Sequence, residues 1–194
     1  MKNEWDDYAK EWETNPLVIE YSKLAFKSLQ DEVNIDGLNI LDFGCGTGAL
    51  SELLLPRAKN IVALDSSAEM INVLKEKKLS GIDLINDVLS KELIQSHPLL
   101  SQKFDLIVAS SVCAFLPNYP ETLKLISSLL AKGGTFVQWD WLAESDNAET
   151  GFTSHTLESA FKHVPLEISK LSIPFSINDN NTPMPVLMAN GIKL

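Results

Sequence analysis

The chain is 194 residues long and 45% hydrophobic, enough for one domain with a sizeable core. Its 16 Lys and Arg are outnumbered by 26 Asp and Glu, for a formal net charge of -10, and no basic run tracks a nucleic-acid backbone, which excludes DNA and large RNA as expected substrates. No span is apolar enough for a bilayer and residues 1–7 carry no apolar signal region, so the expectation is a cytoplasmic protein with no membrane partner.

Residues 1–36 read as an N-terminal appendage, helical over 17–29. Within it Trp5, Tyr8 and Trp12 recur at helix-like spacing, which suits either core packing or an aromatic cover for a bound cation. The most informative stretch follows: Ile40-Leu41-Asp42-Phe43-Gly44-Cys45-Gly46-Thr47-Gly48-Ala49-Leu50. An apolar strand runs into three alternate glycines, and a helix-compatible run over 49–55 comes next. Glycine at these places permits a sharp turn and leaves backbone N–H groups open to a bound molecule. A second apolar strand, 60–64, ends at Asp65, where an acid can accept both hydroxyls of a ribose. The two signals predict a pocket for a nucleoside-bearing cofactor.

Farther along, Ser66-x-x-Glu69 reads as a capping box for a helix carrying Met70, Ile71 and Leu74. Pro120 and Glu121 open another, with Leu123, Ile126 and Leu130 at helical spacing and Gly133-Gly134 as its stop. Thr153 or Ser154 caps a helix ending at Phe161. The runs 166–175 and 184–193, separated by Asn178-Asp179-Asn180-Asn181, read as an antiparallel hairpin. Strands alternating with helices predict an α/β fold, a mainly parallel sheet covered on both faces. In such sheets the ligand lies beyond the carboxyl ends of the strands.

The glycine turn alone leaves the cofactor open, because Gly44, Gly46 and Ala49 also satisfy the relaxed dinucleotide pattern. Asp42 tips the balance, since its carboxylate would repel a pyrophosphate and welcome a cationic amine. Asp42-x-Gly44-x-Gly46-x-Gly48, followed by Asp65, resembles the first two motifs of class I S-adenosylmethionine-dependent methyltransferases. Leu84-Ile85-Asn86-Asp87-Val88 is similar to the family's third strand and its adenine-contacting acid. Phe104-Asp105-Leu106-Ile107-Val108-Ala109-Ser110-Ser111 is similar to the fourth strand and the loop under the methionine. Leu129-Leu130-Ala131-Lys132-Gly133-Gly134-Thr135-Phe136 resembles the turn into the fifth strand, so the likeness covers residues 37–140 in order.

That resemblance implies a doubly wound, mostly parallel seven-stranded Rossmann-like sheet with a C-terminal antiparallel hairpin. It also implies a single domain over 1–194, with 1–36 as a helical lid and 37–194 as the cofactor-binding core. The implied cofactor is S-adenosylmethionine, its ammonium held by Asp42. The turn of Gly44, Cys45, Gly46 and Gly48 would cradle methionine and ribose, Asp65 the ribose hydroxyls and Asp87 the adenine amino group. Ser66 and Val88 would contact the adenosine, Val88 through its backbone N–H, and Ser110 would lie under the methionine. The expected reaction is in-line methyl transfer to a small-molecule acceptor. A non-catalytic module binding the cofactor or its product is the alternative, and a nicotinamide-dependent dehydrogenase is disfavoured by Asp42 and the terminal hairpin.

No catalytic residue is assigned, because a base is needed only if the acceptor must lose a proton. Asp140 and His155 are candidates. In Trp139-Asp140-Trp141, alternation either sends Trp139 to a helix layer and Asp140 to solvent, or the strand's end puts Asp140 and an indole in the acceptor pocket. That pocket is expected from the N-terminal segment and 141–152, with Phe115 and Leu116 as core or wall. Cys113 has no base beside it in the sequence and reads as a packed thiol, and a bridge to Cys45 would distort the pocket. His97, His155 and His163 lack metal-ligand spacing, so no metal is expected, and His163 belongs to the opposite rim.

Overall fold

Strand β1 (Asn39–Phe43) is buried on both faces, the pattern of a strand covered on both sides. Leu41 and Phe43 join one core and Ile40 the opposite one, as alternation along a strand requires. The computed structural model describes residues 4–179 and 181–194. Residues 1–3 of the expected appendage and Asn180 of the expected turn lie outside the described residues. After β1 come β2 (Asn60–Asp65), β3 (Ile82–Asn86), β4 (Phe104–Ser110), β5 (Leu130–Trp141), β6 (Leu166–Asp179) and β7 (Thr182–Lys193). They form a seven-stranded sheet in the order β3-β2-β1-β4-β5-β7-β6, parallel through β5, with β7 antiparallel to both its neighbours. The strand order reverses between β1 and β4.

Helices α2 (Pro16–Glu32) and α3 (Ala49–Leu54) cover the face to which Ile40 points, through Ala25, Leu29, Leu50 and Leu54. Helices α5 (Lys91–Ser96), α6 (Tyr119–Leu129) and α7 (Ser154–Phe161) cover the other, through Leu93, Leu123, Ile126 and Leu157. Short α1 (Ala9–Thr14) precedes α2, and α4 (Ala68–Glu76) packs Ile71 and Leu74 against Ala63 and Cys45.

Several boundaries differ from the sequence expectation for local reasons. Helix α2 starts at Pro16, because the Asn15 side chain accepts the Leu17 N–H at 2.9 Å and proline in the first turn sacrifices no donor. Helix α4 is capped by Ser67, not Ser66: the Ser67 hydroxyl accepts the Met70 N–H at 3.2 Å, and the Ser66–Glu69 box does not form. For α7 the cap is Thr153, in a reciprocal box with Thr156. Gly133 and Gly134 do not stop α6, which ends at Leu129; they sit in an irregularity of β5, where the register slips from Phe104↔Leu130 to Leu106↔Thr135. Gly133 takes a left-handed φ of 76°, and a Cβ on Gly134 would lie 2.9 Å from the Ala131 carbonyl oxygen.

The hairpin is longer than the runs 166–175 and 184–193, with pairing continuing to Asp179↔Thr182. Since β6 runs in the direction of β5, this extension rises at the carboxyl end of the sheet. It carries Ile177 and Met184 there.

Candidate functional site

A cavity of about 790 Å3 opens beyond the carboxyl ends of the parallel strands, at the reversal between β1 and β4. Nine of the ten residues expected against a cofactor line it, and Gly48 is the exception. Gly48 is required by packing instead: its φ is 85°, and a Cβ there would come within 2.3 Å of Leu74 in α4.

The glycine turn is stitched to the end of β2. The N–H groups of Gly44 and Cys45 donate to the Leu64 carbonyl at 2.7 and 3.1 Å, and the Gly48 N–H donates to the Cys45 carbonyl at 2.9 Å. The Gly46 N–H donates to Asp65 Oδ2 at 2.8 Å. These groups, expected to stay open for a ligand, are therefore paired, and the turn provides close approach in place of donors. A pyrophosphate site would need those donors. Thr47, unnoticed in the sequence, brings a buried hydroxyl with no partner among the described residues to the cavity wall.

Asp65 also accepts the Ser67 N–H on Oδ1 at 2.8 Å, and the Ser66 N–H adds to the donors that stabilise the carboxylate. Burial raises its carboxyl above the usual range, and those N–H groups oppose the rise. Asp42 is 1% exposed and accepts the Ser51 hydroxyl at 2.6 Å. Burial pushes its carboxyl up to about 6, against the stabilising Ser51 bond and helped by the charge of Asp65. Asp87 is exposed beyond β3, and its side chain takes the Val88 N–H at 2.7 Å, the group expected for adenosine.

Aromatic residues close one side. Trp5 meets Phe115 and Trp12 edge-on at centroid distances of 5.2 and 5.7 Å, and all three line the cavity. Tyr8 turns outward, 54% exposed. Asp6 accepts the Ser67 hydroxyl at 2.7 Å and Glu13 pairs with Lys77 at 2.9 Å, pinning the segment to α4. Toward the hairpin the wall is Tyr21, Ser111, Trp141, Ile177 and Met184. Of residues 141–152 only Trp141 contributes to the wall; the lengthened hairpin takes the place expected for the rest. Phe115 and Leu116 are wall residues.

Neither base candidate reaches the cavity. His155 pairs with Asp146 at 2.7 Å on the surface, its side chain 77% exposed. Trp139 enters the α2 layer, where its Nε1 donates to the Ser28 hydroxyl at 2.9 Å. Asp140 faces neither solvent nor the pocket. It shares the Phe136 face of β5, is 1% exposed, and accepts the Ala114 N–H at 3.0 Å and Gln138 Nε2 at 2.9 Å. Tyr119 in turn donates to Gln138 Oε1. Both cysteines are free and buried, and burial raises both thiols well above the ordinary value.

Burial pushes the Asp140 carboxyl up to about 7. The folded chain therefore keeps a proton that the unfolded chain has already released between about pH 4 and 7, so stability falls as pH rises through that window. Asp140→Asn should flatten the fall and raise the melting temperature at pH 8, by up to about 4 kcal/mol of stability from the size of such a shift. The Gln138 amide can invert to meet the new amide, because a tyrosine hydroxyl also accepts. Thermal melts of both proteins from pH 4 to 8 check this, and Asp42 and Asp65, both raised by burial, leave a pH dependence of the same sign, which for Asp42 ends near pH 6.

A family model described as a methyltransferase domain matches residues 18–170. The chain belongs to the class I S-adenosylmethionine-dependent methyltransferase family. An uncharacterized methyltransferase of Schizosaccharomyces pombe is 29% identical over 137 residues, 64% of this chain and 48% of that protein. The chain spans about half the length of the curated relatives it matches, 48% and 51% of the first two. Among solved structures, the methyltransferase from a Haloferax volcanii complex with the Trm112 activator superposes with a TM-score of 0.77 at 16% identity, covering 99% of this chain and 98% of that one. N-methyltransferase NodS of Bradyrhizobium japonicum, with S-adenosyl-L-homocysteine, gives 0.67 at 21% identity, covering 92% and 88%. These likenesses are of fold.

The cavity of this methyltransferase-family chain suits the family cofactor on its own terms. Glu4, Asp42, Asp65, Asp87 and Glu121 line it against Lys91, a lining that favours a cation over a dinucleotide. The orphaned Thr47 hydroxyl adds a polar partner, and Gly46 brings bare backbone to the wall beneath Trp12, where a Cβ would fill the 3.6 Å approach to its Nε1.

Proposed function

We propose that the chain is an S-adenosylmethionine-dependent methyltransferase that acts on a small-molecule acceptor. The observation that carries the reading is the acid-lined, aromatic-walled cavity at the strand reversal, with Asp65 at the end of β2. Bound there, S-adenosylmethionine supplies an activated methyl group on a sulfonium sulfur. Asp65 accepts the ribose hydroxyls, Asp87 and Val88 meet the adenine, and Ser66 borders the adenosine. Asp42 faces the ammonium, whose charge favours the ionised carboxylate. Gly44, Cys45, Gly46 and Ser110 form the floor. Trp5, Trp12 and Phe115 form a lid whose ring faces attract the sulfonium and whose bulk excludes water. The protein's part is to hold nucleophile, methyl carbon and sulfur in line.

A cavity near the upper end of the roughly 300–1,000 Å3 range of small-ligand sites favours a small acceptor over a macromolecule. The acidic chain supports the same choice. Calorimetry should show binding of S-adenosylmethionine and S-adenosylhomocysteine and none of NAD or NADP. Tight NAD binding without either methionine derivative overturns the cofactor. Methyl transfer is checked by S-adenosylhomocysteine release on incubation with metabolite extracts, and binding without any turnover would favour the non-catalytic module.

A further inference from the structure

Strand order divides the cavity. Asp65 and Asp87 stand at the ends of β2 and β3, whereas Trp141, Ile177 and Met184 belong to β5, β6 and β7 on the other half of the sheet. Asp42 and Ser110, at the ends of β1 and β4, lie between the halves. On the reading that the β2–β3 half takes the nucleoside, the β5–β7 half is where the second substrate must sit.

The part of that half toward α2 and the hairpin is apolar apart from hydroxyl groups, while Asn118 and Glu121 at the start of α6 also line the cavity. Tyr21 of α2 is 5% exposed, and its ring is locked edge-on against Trp141 at 5.3 Å and Phe175 at 5.4 Å. Its hydroxyl is buried at the cavity wall with Ser111 beside it as a weak hydrogen-bond partner, and it makes no well-formed hydrogen bond among the described residues. A buried hydroxyl without a well-formed bond is destabilising, a cost that a ligand bonding to it removes. Ser111 is held at a left-handed φ of 57° while its N–H donates to the Trp139 carbonyl at 2.7 Å, so its side chain is fixed at the same wall. Lys91 is the one basic residue lining the cavity among the described residues, and it opens α5 after β3, in the nucleoside half.

We propose that the β5–β7 half binds a neutral molecule with a flat apolar body and a hydroxyl group, and that the Tyr21 hydroxyl, with Ser111, hydrogen-bonds that hydroxyl. Trp141, Ile177 and Met184 pack against the apolar body. An anionic ligand would find acids nearby and no cation, and its carboxylate would stay unpaired in a buried site. A ligand without the hydroxyl would leave Tyr21 unsatisfied, which is how a polar anchor in an apolar pocket selects its substrate.

The test uses 2-naphthol, 2-naphthoate and naphthalene as probes of the full chain saturated with S-adenosylhomocysteine, by calorimetry. The expected order is 2-naphthol at least ten-fold tighter than 2-naphthoate and several-fold tighter than naphthalene. Tyr21→Phe keeps the ring contacts and should weaken 2-naphthol about three- to ten-fold, with naphthalene and S-adenosylhomocysteine unchanged. Failure of 2-naphthol to bind, equal binding of 2-naphthoate, or an unaffected Tyr21→Phe overturns the proposal while leaving the methyltransferase reading intact. Failure of S-adenosylhomocysteine itself to bind overturns that reading instead, and the two results are read in separate titrations.

Discussion

Asp65→Ala should lower affinity for S-adenosylhomocysteine by a hundred-fold or more while the protein stays folded. Two losses combine. The carboxylate gives up its bonds to the ribose hydroxyls, each about 1.5–3 kcal/mol for a charged acceptor. It also gives up the Gly46 and Ser67 N–H groups at 2.8 Å, which tie the glycine turn to the entry of α4. The turn then loses one of its fastenings to β2, though the Gly44 and Cys45 bonds to the Leu64 carbonyl remain. Asp65→Asn separates the two: it keeps one oxygen for a backbone donor but turns an amide toward the other, so an intermediate loss is expected. Calorimetry with a melting curve of each variant checks this. Unchanged affinity in a folded Asp65→Ala protein would move the ribose elsewhere.

Removing residues 1–14 should leave the sheet intact and cut affinity for S-adenosylmethionine by more than ten-fold. Of residues 4–14 only Ala9 is fully buried, and Trp5, Tyr8 and Trp12 take no place in the core clusters of the sheet. Trp5 and Trp12 instead give their rings to the cavity wall. Elsewhere the truncation removes the Glu13 pair with Lys77, a surface pair worth little, and takes the Asp6 carboxylate from the buried Ser67 hydroxyl, whose oxygen goes on accepting the Met70 N–H. Without ligand the melting temperature should fall by only a few degrees. S-adenosylmethionine should lose more affinity than S-adenosylhomocysteine, because only the sulfonium carries the charge that ring faces attract. A large drop without ligand, together with a ligand-induced rise as great as the full chain's, would make the segment part of the core and sink the lid.

Sequence alone was sufficient where the information is local. Three alternate glycines after an apolar strand, an acid at the end of the next strand and the repeated alternation of strand and helix are backbone and periodicity signals, and they located β1, β2 and the cavity beyond their carboxyl ends. The same kind of signal misjudged neighbours that compete for one role, as Ser66 and Ser67 do for the cap of α4. Tertiary structure decided what depends on contact between distant segments. Whether the glycine N–H groups stay open depends on the end of β2, which takes three of the turn's N–H groups through Leu64 and Asp65. Asp140 is buried because β5 lies inside the sheet beneath α6, a fact of strand order that alternation cannot encode. Tyr21 reaches Trp141 and Phe175 only because α2 crosses the face where β5 and the hairpin meet. Spacing along the chain sets which face a residue takes; what covers that face is set by the packing of elements far apart in sequence.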